Sequence, residues 1–506
     1  MVRLTQTYLQ EFGKTIARSL CGPINRQPER IVQFGEGNFL RGFADWMVDV
    51  INEKGLFGGR IVVVQPIREG MADELNAQDG YYTLIMRGID HGKISESRRL
   101  IGSISRAIDP YEQWDVLAAA FRTSELRFVI SNTTEAGIVC ANEPCRAGQC
   151  PESFPAKITA LLFERFKAVN GASDHGLVFL PCELIECNGQ KLLAAVLGHA
   201  DAWKLPADFV IWVKHANYFL NTLVDRIVPG YPHDEADTIT KELGYEDKLL
   251  VAAEHFHLWV IEGPKHLAKE IPFHMAGLNV VWVDDMVPYR IRKVRVLNGA
   301  HTSASLAAFN AGLNTVREMA VDPVFGTFLR KIIFDEILPF LAIPMREKNA
   351  YAEDVLERFR NPFIRHELLS ISLNSISKWK VRVLPSLLDY WVAKRSVPPR
   401  LSFSLAALIW FYRGEKVGTN ELRGQRDGQP YPIHDDVYPI EFFTYSWGSV
   451  KHRSQLKDLA ISVLAQKAFW DTDLNQVSDL ADVVTDSLKN ISLRGIRQAI
   501  ALHGLS

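Results

Sequence analysis

The sequence predicts an α/β half followed by a mostly α-helical half, meeting near residue 285, and three observations carry that expectation. The first is a unit in which a short apolar run at 30–34 leads into Gly35-Glu36-Gly37. A helical stripe of Phe39, Phe43, Met47 and Ile51 follows, closed by Gly55, and then a continuous apolar run at 61–65. Strand, glycine turn, helix and buried strand in that order open a Rossmann-like dinucleotide-binding domain. The second observation is the recurrence of apolar strand runs at 126–132, 176–183, 257–261 and 278–283, with helical stretches at 111–122, 153–169 and 207–220. The third is a change of texture after Asp284-Asp285, because from Pro288 to residue 489 nearly every segment has a helical period. The expected domains are a Rossmann-like α/β domain with extra strands over 1–284 and a mostly helical substrate-binding domain over 285–506.

A chain of 506 residues is too long for one ordinary core. Its 47% hydrophobic and 23% charged residues are ordinary for a globular protein. A net charge of −2 supplies no global attraction to nucleic acid or anionic membranes, so neither is expected as a partner. The first residues lack the apolar core of a signal peptide and no run of 18 apolar residues occurs, which points to the cytoplasm. Cys140, Cys145 and Cys150 recur every five residues in a Pro/Gly loop. Zinc ligands come in tighter pairs, so free thiols are expected and no metal. The pair His255 and His257 gives no stronger metal signal.

Taken in order, the first unit offers Phe34, Gly35, Gly37, Asn38 and Phe39 as cofactor contacts. The glycines supply a tight turn and close approach of a pyrophosphate to the helix N-terminus. The glycine pattern is partial: position 40, where a third glycine would fall, is Leu40. The second strand ends at Gln65-Pro66 where an acidic acceptor for the ribose hydroxyl is usual. Residues 80–107 alternate and turn like an inserted hairpin. The run at 126–132 ends in Thr133-Thr134-Glu135-Ala136-Gly137, at the strand end where α/β sheets bind ligands; Thr133 and Thr134 are therefore candidates. Asp225 and Arg226, amid apolar residues, read as a buried ion pair or as substrate contacts.

The helical half opens on Lys293, Asn298 and His301. On an α-helix these fall at about 0°, 140° and 80°, on one half of the surface and along roughly 12 Å of axis. A base, a carbonyl-polarising amide and an orienting imidazole suit proton transfer to and from a hydroxyl or carbonyl.

Together these stretches resemble the polyol-specific long-chain dehydrogenases, the mannitol dehydrogenase family, which also contains hexuronate reductases. The resemblance covers roughly residues 28–500. It rests on FGEGNFLRGF from Phe34, NTTEAG from Asn132, NTLVDRIVP from Asn221 and, most specifically, KVRVLNGAH from Lys293. It implies Lys293 as general acid/base, Asn298 as oxyanion donor, His301 as the group orienting the reacting hydroxyl, NAD as cofactor and no catalytic metal. PCELIECNG (181–189), SFPAKITALLFERF (153–166), SISLNSISKWKVRVLPSL (370–387) and LSFSLAALIWFYRG (401–414) are closest to the hexuronate-reducing members. This implies interconversion of a keto-uronate and its reduced sugar acid. The family pattern further implies Asp225 and Lys378 as substrate-binding residues. Arg382, one helical turn from Lys378, joins them as a second cation for the carboxylate.

Mannitol-oxidising members carry a second oxyanion asparagine where this chain has Leu184, so Asn298 acts alone or with Asn188 or another donor. Oxidation requires a neutral amine, whereas a free lysine titrates near ~10.4. Burial and the neighbouring Arg290, Arg292 and Arg295 would lower it. Arg68, near the end of the second strand, could attract the 2′-phosphate of NADP. The other readings are a fructuronate or polyol dehydrogenase of the same family, a sugar-phosphate dehydrogenase, and a catalytically silent NAD-binding sensor.

Overall fold

Four of the apolar runs, Glu29–Phe34, Arg60–Val64, Phe128–Ser131 and Val178–Pro181, lie in one parallel sheet. This is a computed structural model, and it describes residues 2–16, 27–90, 92–133, 137–141, 143–144 and 148–502. The chain divides into two compact units, Met1–Met286 and Val287–Ser506. The sheet of the first unit runs in the order Ile104–Ile108, Arg60–Val64, Glu29–Phe34, Phe128–Ser131, Val178–Pro181, Tyr218–Phe219. Strand order therefore reverses beside Glu29–Phe34, and the crevice at the C-terminal ends of that strand and of Phe128–Ser131 is the topological switch point.

Alternation along each strand divides the core between the two faces. Ile31, Ile61, Val63 and Ile130 pack with Phe43, Met47 and Ile51 of the first helix. Val32, Phe34, Val62 and Val129 pack with Leu117, Phe121, Ile158 and Leu161 of the opposite helices. Each such side chain, buried completely, contributes roughly 1.5–3 kcal/mol of transfer free energy.

Two features of this unit depart from the sequence expectation. Only Tyr82–Asp90 and Lys93–Ile101 form the inserted antiparallel hairpin, which pairs with Val251–Ala253. Ile104–Ile108, expected as part of that insertion, returns to the main sheet parallel to Arg60–Val64. The helix after the glycine turn is also not α throughout: Asn38–Leu40 and Trp46–Glu53 flank a π turn at Arg41–Asp45. A third three-stranded layer, Asn221–Asp225, Leu258–Glu262 and Val280–Val283, completes the unit.

The second unit is helical as expected, apart from an antiparallel meander of Gly414–Lys416, Glu421–Arg426 and Gln429–His434. At its centre Gly299–Asn310 is buried on all sides and packs against the equally buried Pro399–Phe411. Its small residues, Gly299, Ala300, Ser303, Ala304, Ala307 and Ala308, suit close packing inside a bundle. No helix among the described residues is long and apolar enough to cross a membrane.

Candidate active site

Gly35 sits at the switch point with φ +122°, a conformation that L side chains rarely adopt. A Cβ there would stand 3.1 Å from the Asn132 carbonyl oxygen, whereas one at Gly37 would meet nothing within 4 Å. The turn is thus closed on the sheet side and open on the other, and the helix N-terminus begins at Asn38. This backbone fits a dinucleotide pyrophosphate. Gln33 Nε2 pins the Gly35 carbonyl at 3.0 Å. The missing third glycine is replaced in function by Gly42, whose Cβ would strike Val228 at 2.9 Å and Val251 at 3.3 Å. Gly42 therefore permits the close packing that the third glycine usually provides.

The other cofactor candidates differ in how much side chain they leave available. The Phe34 ring is fully buried against Phe121 and Phe154, so only its backbone belongs to the turn. Phe39 is half-buried and stacks on Phe43 at 5.0 Å. Asn38 accepts from Arg41 at 2.6 Å. Gln65 donates to the Ile67 and Arg68 carbonyls and accepts from the Ala72 N–H, so its amide organises the loop after the strand. Thr133 donates through N–H and Oγ1 to Glu183 Oε1, both at 3.0 Å. Thr134 lies outside the described residues.

Two residues that the sequence left open, Asn188 and Arg226, both bond to backbone groups. Asn188 is fully buried, and its amide nitrogen donates to the carbonyls of Pro181, Glu183 and Thr222. Its oxygen accepts from the Gly189 and Thr222 N–H groups. With the amide committed on both atoms it fixes a corner and has no capacity as an oxyanion donor. The Arg226 guanidinium donates to the carbonyls of Glu254 and Gly42 and lies 4.2 Å from the Trp46 ring centroid. Backbone carbonyls and an indole thus anchor it. Asp225 itself is buried at the end of strand Asn221–Asp225.

His255 bonds to the Ser95 carbonyl, while His257 bridges the His255 carbonyl and the Asn279 N–H. Both rings are structural. Among the described residues no cluster of three metal-ligating side chains occurs.

In the second unit the Lys/Asn/His stretch is not one regular helix. Val287–Arg292 is α, Lys293–Asn298 is a π turn and Gly299–Asn310 is α again. The Gly299 N–H reaches back to the Val294 carbonyl, five residues away. Residues five apart lie roughly one above the other in such a turn, so the backbone brings Asn298 over Lys293 instead of ~140° around the axis. Lys293 and Asn298 are half-buried and His301 is buried. The flanking arginines point into packing: Arg295 pairs with Asp389 at 2.8 Å, and Arg292 lies over Tyr289 and Tyr351.

His301 stacks on Phe359 with ring centroids 4.1 Å apart and meets His366 edge-on at 5.1 Å. Burial, followed by the nearby charges of His366, Arg358 and Arg382, holds its pKa well below the usual imidazole value. The ring is therefore neutral near pH 7, and its buried Nε2 has no hydrogen-bond partner. Arg382 donates to Thr302 Oγ1 at 3.4 Å, one residue beyond His301. Gly299 permits this approach, since its Cβ would stand 3.0 Å from the Arg382 carbonyl oxygen. Lys378, one turn earlier on Ser375–Arg382, donates to the Ile371 carbonyl at 3.1 Å. Burial and then Arg382 lower the pKa of Lys378, and burial lowers that of Arg382. The structure thus gathers His301, Lys378 and Arg382 in one cationic region on this unit. It adds Arg358, Phe359 and His366, which lie in helical-period segments with no motif to single them out. A neutral imidazole with an open nitrogen, ringed by cations, can hydrogen-bond a hydroxyl while the surroundings favour an anion.

The chain matches the family described as Mannitol dehydrogenase Rossmann domain over residues 29–275, and Mannitol dehydrogenase C-terminal domain over 285–492. It is 46% identical over 483 residues to an altronate oxidoreductase of Yersinia enterocolitica, covering 95% of this chain and 98% of that one. An altronate oxidoreductase of Pectobacterium carotovorum is 46% identical over 480 residues, covering 94% and 97%. Among solved structures, the Pseudomonas fluorescens mannitol 2-dehydrogenase ternary complex with NAD and D-mannitol aligns with TM-score 0.67 at 22% identity, covering 99% of both chains. A substrate-free D-sorbitol dehydrogenase aligns with TM-score 0.76 at 22% identity, covering 94% and 96%. With matches spanning both units, the chain belongs to the mannitol dehydrogenase family.

Proposed function

We propose that this protein is an NAD(H)-dependent altronate oxidoreductase that interconverts D-tagaturonate and D-altronate in hexuronate breakdown, with 1–284 binding the dinucleotide and 285–506 the sugar acid. The observation that carries this reading is the cationic surround of His301, formed by Arg358 and Arg382, with Lys378 beside Arg382. An uncharged polyol has no use for it, whereas a uronate brings a carboxylate that requires it. The names of the 46% identical relatives support the same substrate.

Gly35, Gly37 and the N-terminus at Asn38 would hold the pyrophosphate of the dinucleotide, whose nicotinamide would supply or accept the hydride. The chain's own residues manage the proton and the charge. In the reducing direction Lys293, as ammonium, donates a proton to the ketone oxygen as it becomes a hydroxyl; in oxidation the neutral amine takes it back. Asn298, one π turn above, donates its amide N–H to the oxygen as negative charge develops. His301 uses its open Nε2 to hold the reacting hydroxyl. Its neutrality keeps it from pairing permanently with the substrate carboxylate, which falls to Lys378 and Arg382. Asp225 would accept from substrate hydroxyls.

The test is a kinetic comparison of tagaturonate, fructuronate, fructose and mannitol with NADH or NAD. Tagaturonate and altronate should have the highest kcat/KM. Preference for fructuronate would reassign the uronate, and preference for an uncharged sugar would overturn the reading of the cationic region. NADH binding without turnover of any of these compounds would leave a silent sensor.

A further inference from the structure

The first unit holds a cavity of about 730 Å³ whose lining includes Arg68, Tyr111, Trp114 and the carboxylates Glu112, Asp115, Glu143 and Glu152, of which Glu152 pairs with Arg68. Arg68 follows strand Arg60–Val64, and Tyr111 and Trp114 follow Ile104–Ile108, so the cavity opens at the C-terminal ends of neighbouring parallel strands. That is where a doubly wound sheet receives the adenosine half of a dinucleotide. The Arg68 guanidinium lies 4.4 Å from the Tyr111 ring centroid and donates to Glu152 Oε1 at 2.5 Å. Lys157 is fully buried behind it, bound to the Tyr111 hydroxyl at 3.1 Å and the Glu152 carbonyl at 2.7 Å. Gln65, at the strand end, is occupied with its own loop.

Gln65 thus stands at the strand end where an acid usually selects NAD, and the nearest acid in the following loop, Glu69, lies beyond Arg68. The exposed cation beside the strand end would by itself welcome a 2′-phosphate. Glu152, arriving from a distant part of the chain, cancels that cation. An exposed ion pair contributes little to folding, but a carboxylate at this place acts directly on a ligand that differs only by a phosphate.

We propose that Glu152 is the specificity-determining residue for the cofactor, holding Arg68 and repelling the 2′-phosphate of NADP so that NAD is chosen. The inference rests on the reading of this unit as dinucleotide-binding. The backbone around Glu152 is anchored independently of its carboxylate, since Glu143 accepts from the N–H groups of Glu152 and Ser153. A substitution at Glu152 should therefore leave the fold intact.

The experiment is a fluorescence titration of the full chain with NADH and with NADPH, which needs no sugar substrate. The wild type should bind NADH more tightly. E152Q should tighten NADPH on the order of tenfold, the worth of one charge-assisted contact, and leave NADH within about twofold. The double variant R68Q/E152Q should lose that gain. An unchanged NADPH-to-NADH ratio in E152Q, a gain that survives in the double variant, or a wild type that prefers NADPH would each overturn the proposal. Binding of neither nucleotide would overturn the dinucleotide reading and this inference with it, a result distinct from the others.

Discussion

Lys293 should matter to turnover far more than to binding. Lys293→Ala is expected to lower kcat by roughly 10²–10⁴-fold, the usual contribution of a positioned acid/base, while NADH affinity stays within about twofold. Stopped-flow turnover beside a nucleotide titration checks both, and near-normal kcat would refute the assignment. At this scale the sequence offers candidates where chemistry and spacing coincide in one segment, as for Lys293, Asn298 and His301. It was silent where partners converge from distant segments. Phe359 and His366 flank the imidazole, yet neither lies in a segment whose pattern marks it. Asn188 shows the opposite failure, since a plausible donor by residue type turns out to be fully engaged in holding a corner.

At the scale of elements, the first strand and its helix show how a buried group supports the nucleotide turn. Asp45, within the π turn, is fully buried beside Gln33 and Arg41. Burial pushes its pKa up to about 8, only partly offset by Gln33 and Arg41. The Gln33 amide nitrogen is already committed to Gly35. A carboxyl whose folded pKa lies above its unfolded value contributes stability that is full below about pH 4 and lost as pH rises toward 8. Asp45→Asn removes that loss, so it should stabilise the protein by roughly 5 kcal/mol at pH 7.5 and leave it nearly unchanged near pH 4. Urea denaturation at the two pH values measures this; equal effects at both would contradict the assignment. The strands and the Phe43, Met47 and Ile51 stripe were legible because burial imposes periods of 2 and 3.6. The π turns were not, because a bond shifted by one residue leaves composition and stripe almost unaltered.

For the molecule as a whole, buried imidazoles and buried carboxyls pull stability in opposite directions with pH. His257 is driven down to about 4 by burial and by Arg226, and His301 also lies well below its usual value. Glu336, like Asp45, is raised, to about 7. An imidazole depressed in the folded state has no effect above about pH 6.5, and stability is lost as pH falls from there toward its folded value. His257→Gln should therefore gain on the wild type by roughly 2 kcal/mol between pH 7.5 and pH 5, read as the difference of urea midpoints. A wild-type pH dependence unchanged by the substitution would rule out His257 as a source. The two-part division was legible because texture changes within a few residues of Asp284-Asp285. The return of Ile104–Ile108 to the main sheet was not, because a strand at a sheet edge carries the same alternation as a hairpin arm. The break in the helix that carries Lys293, Asn298 and His301 also bears on any attempt to move the proposed chemistry to another protein. Grafted onto a regular designed helix, Lys-x4-Asn-x2-His would place the amide about 140° from the amine. The portable unit is the irregular backbone from Val287 to Asn310 together with its three side chains, and a scaffold without room for the extra residue in the turn would carry the motif without the site.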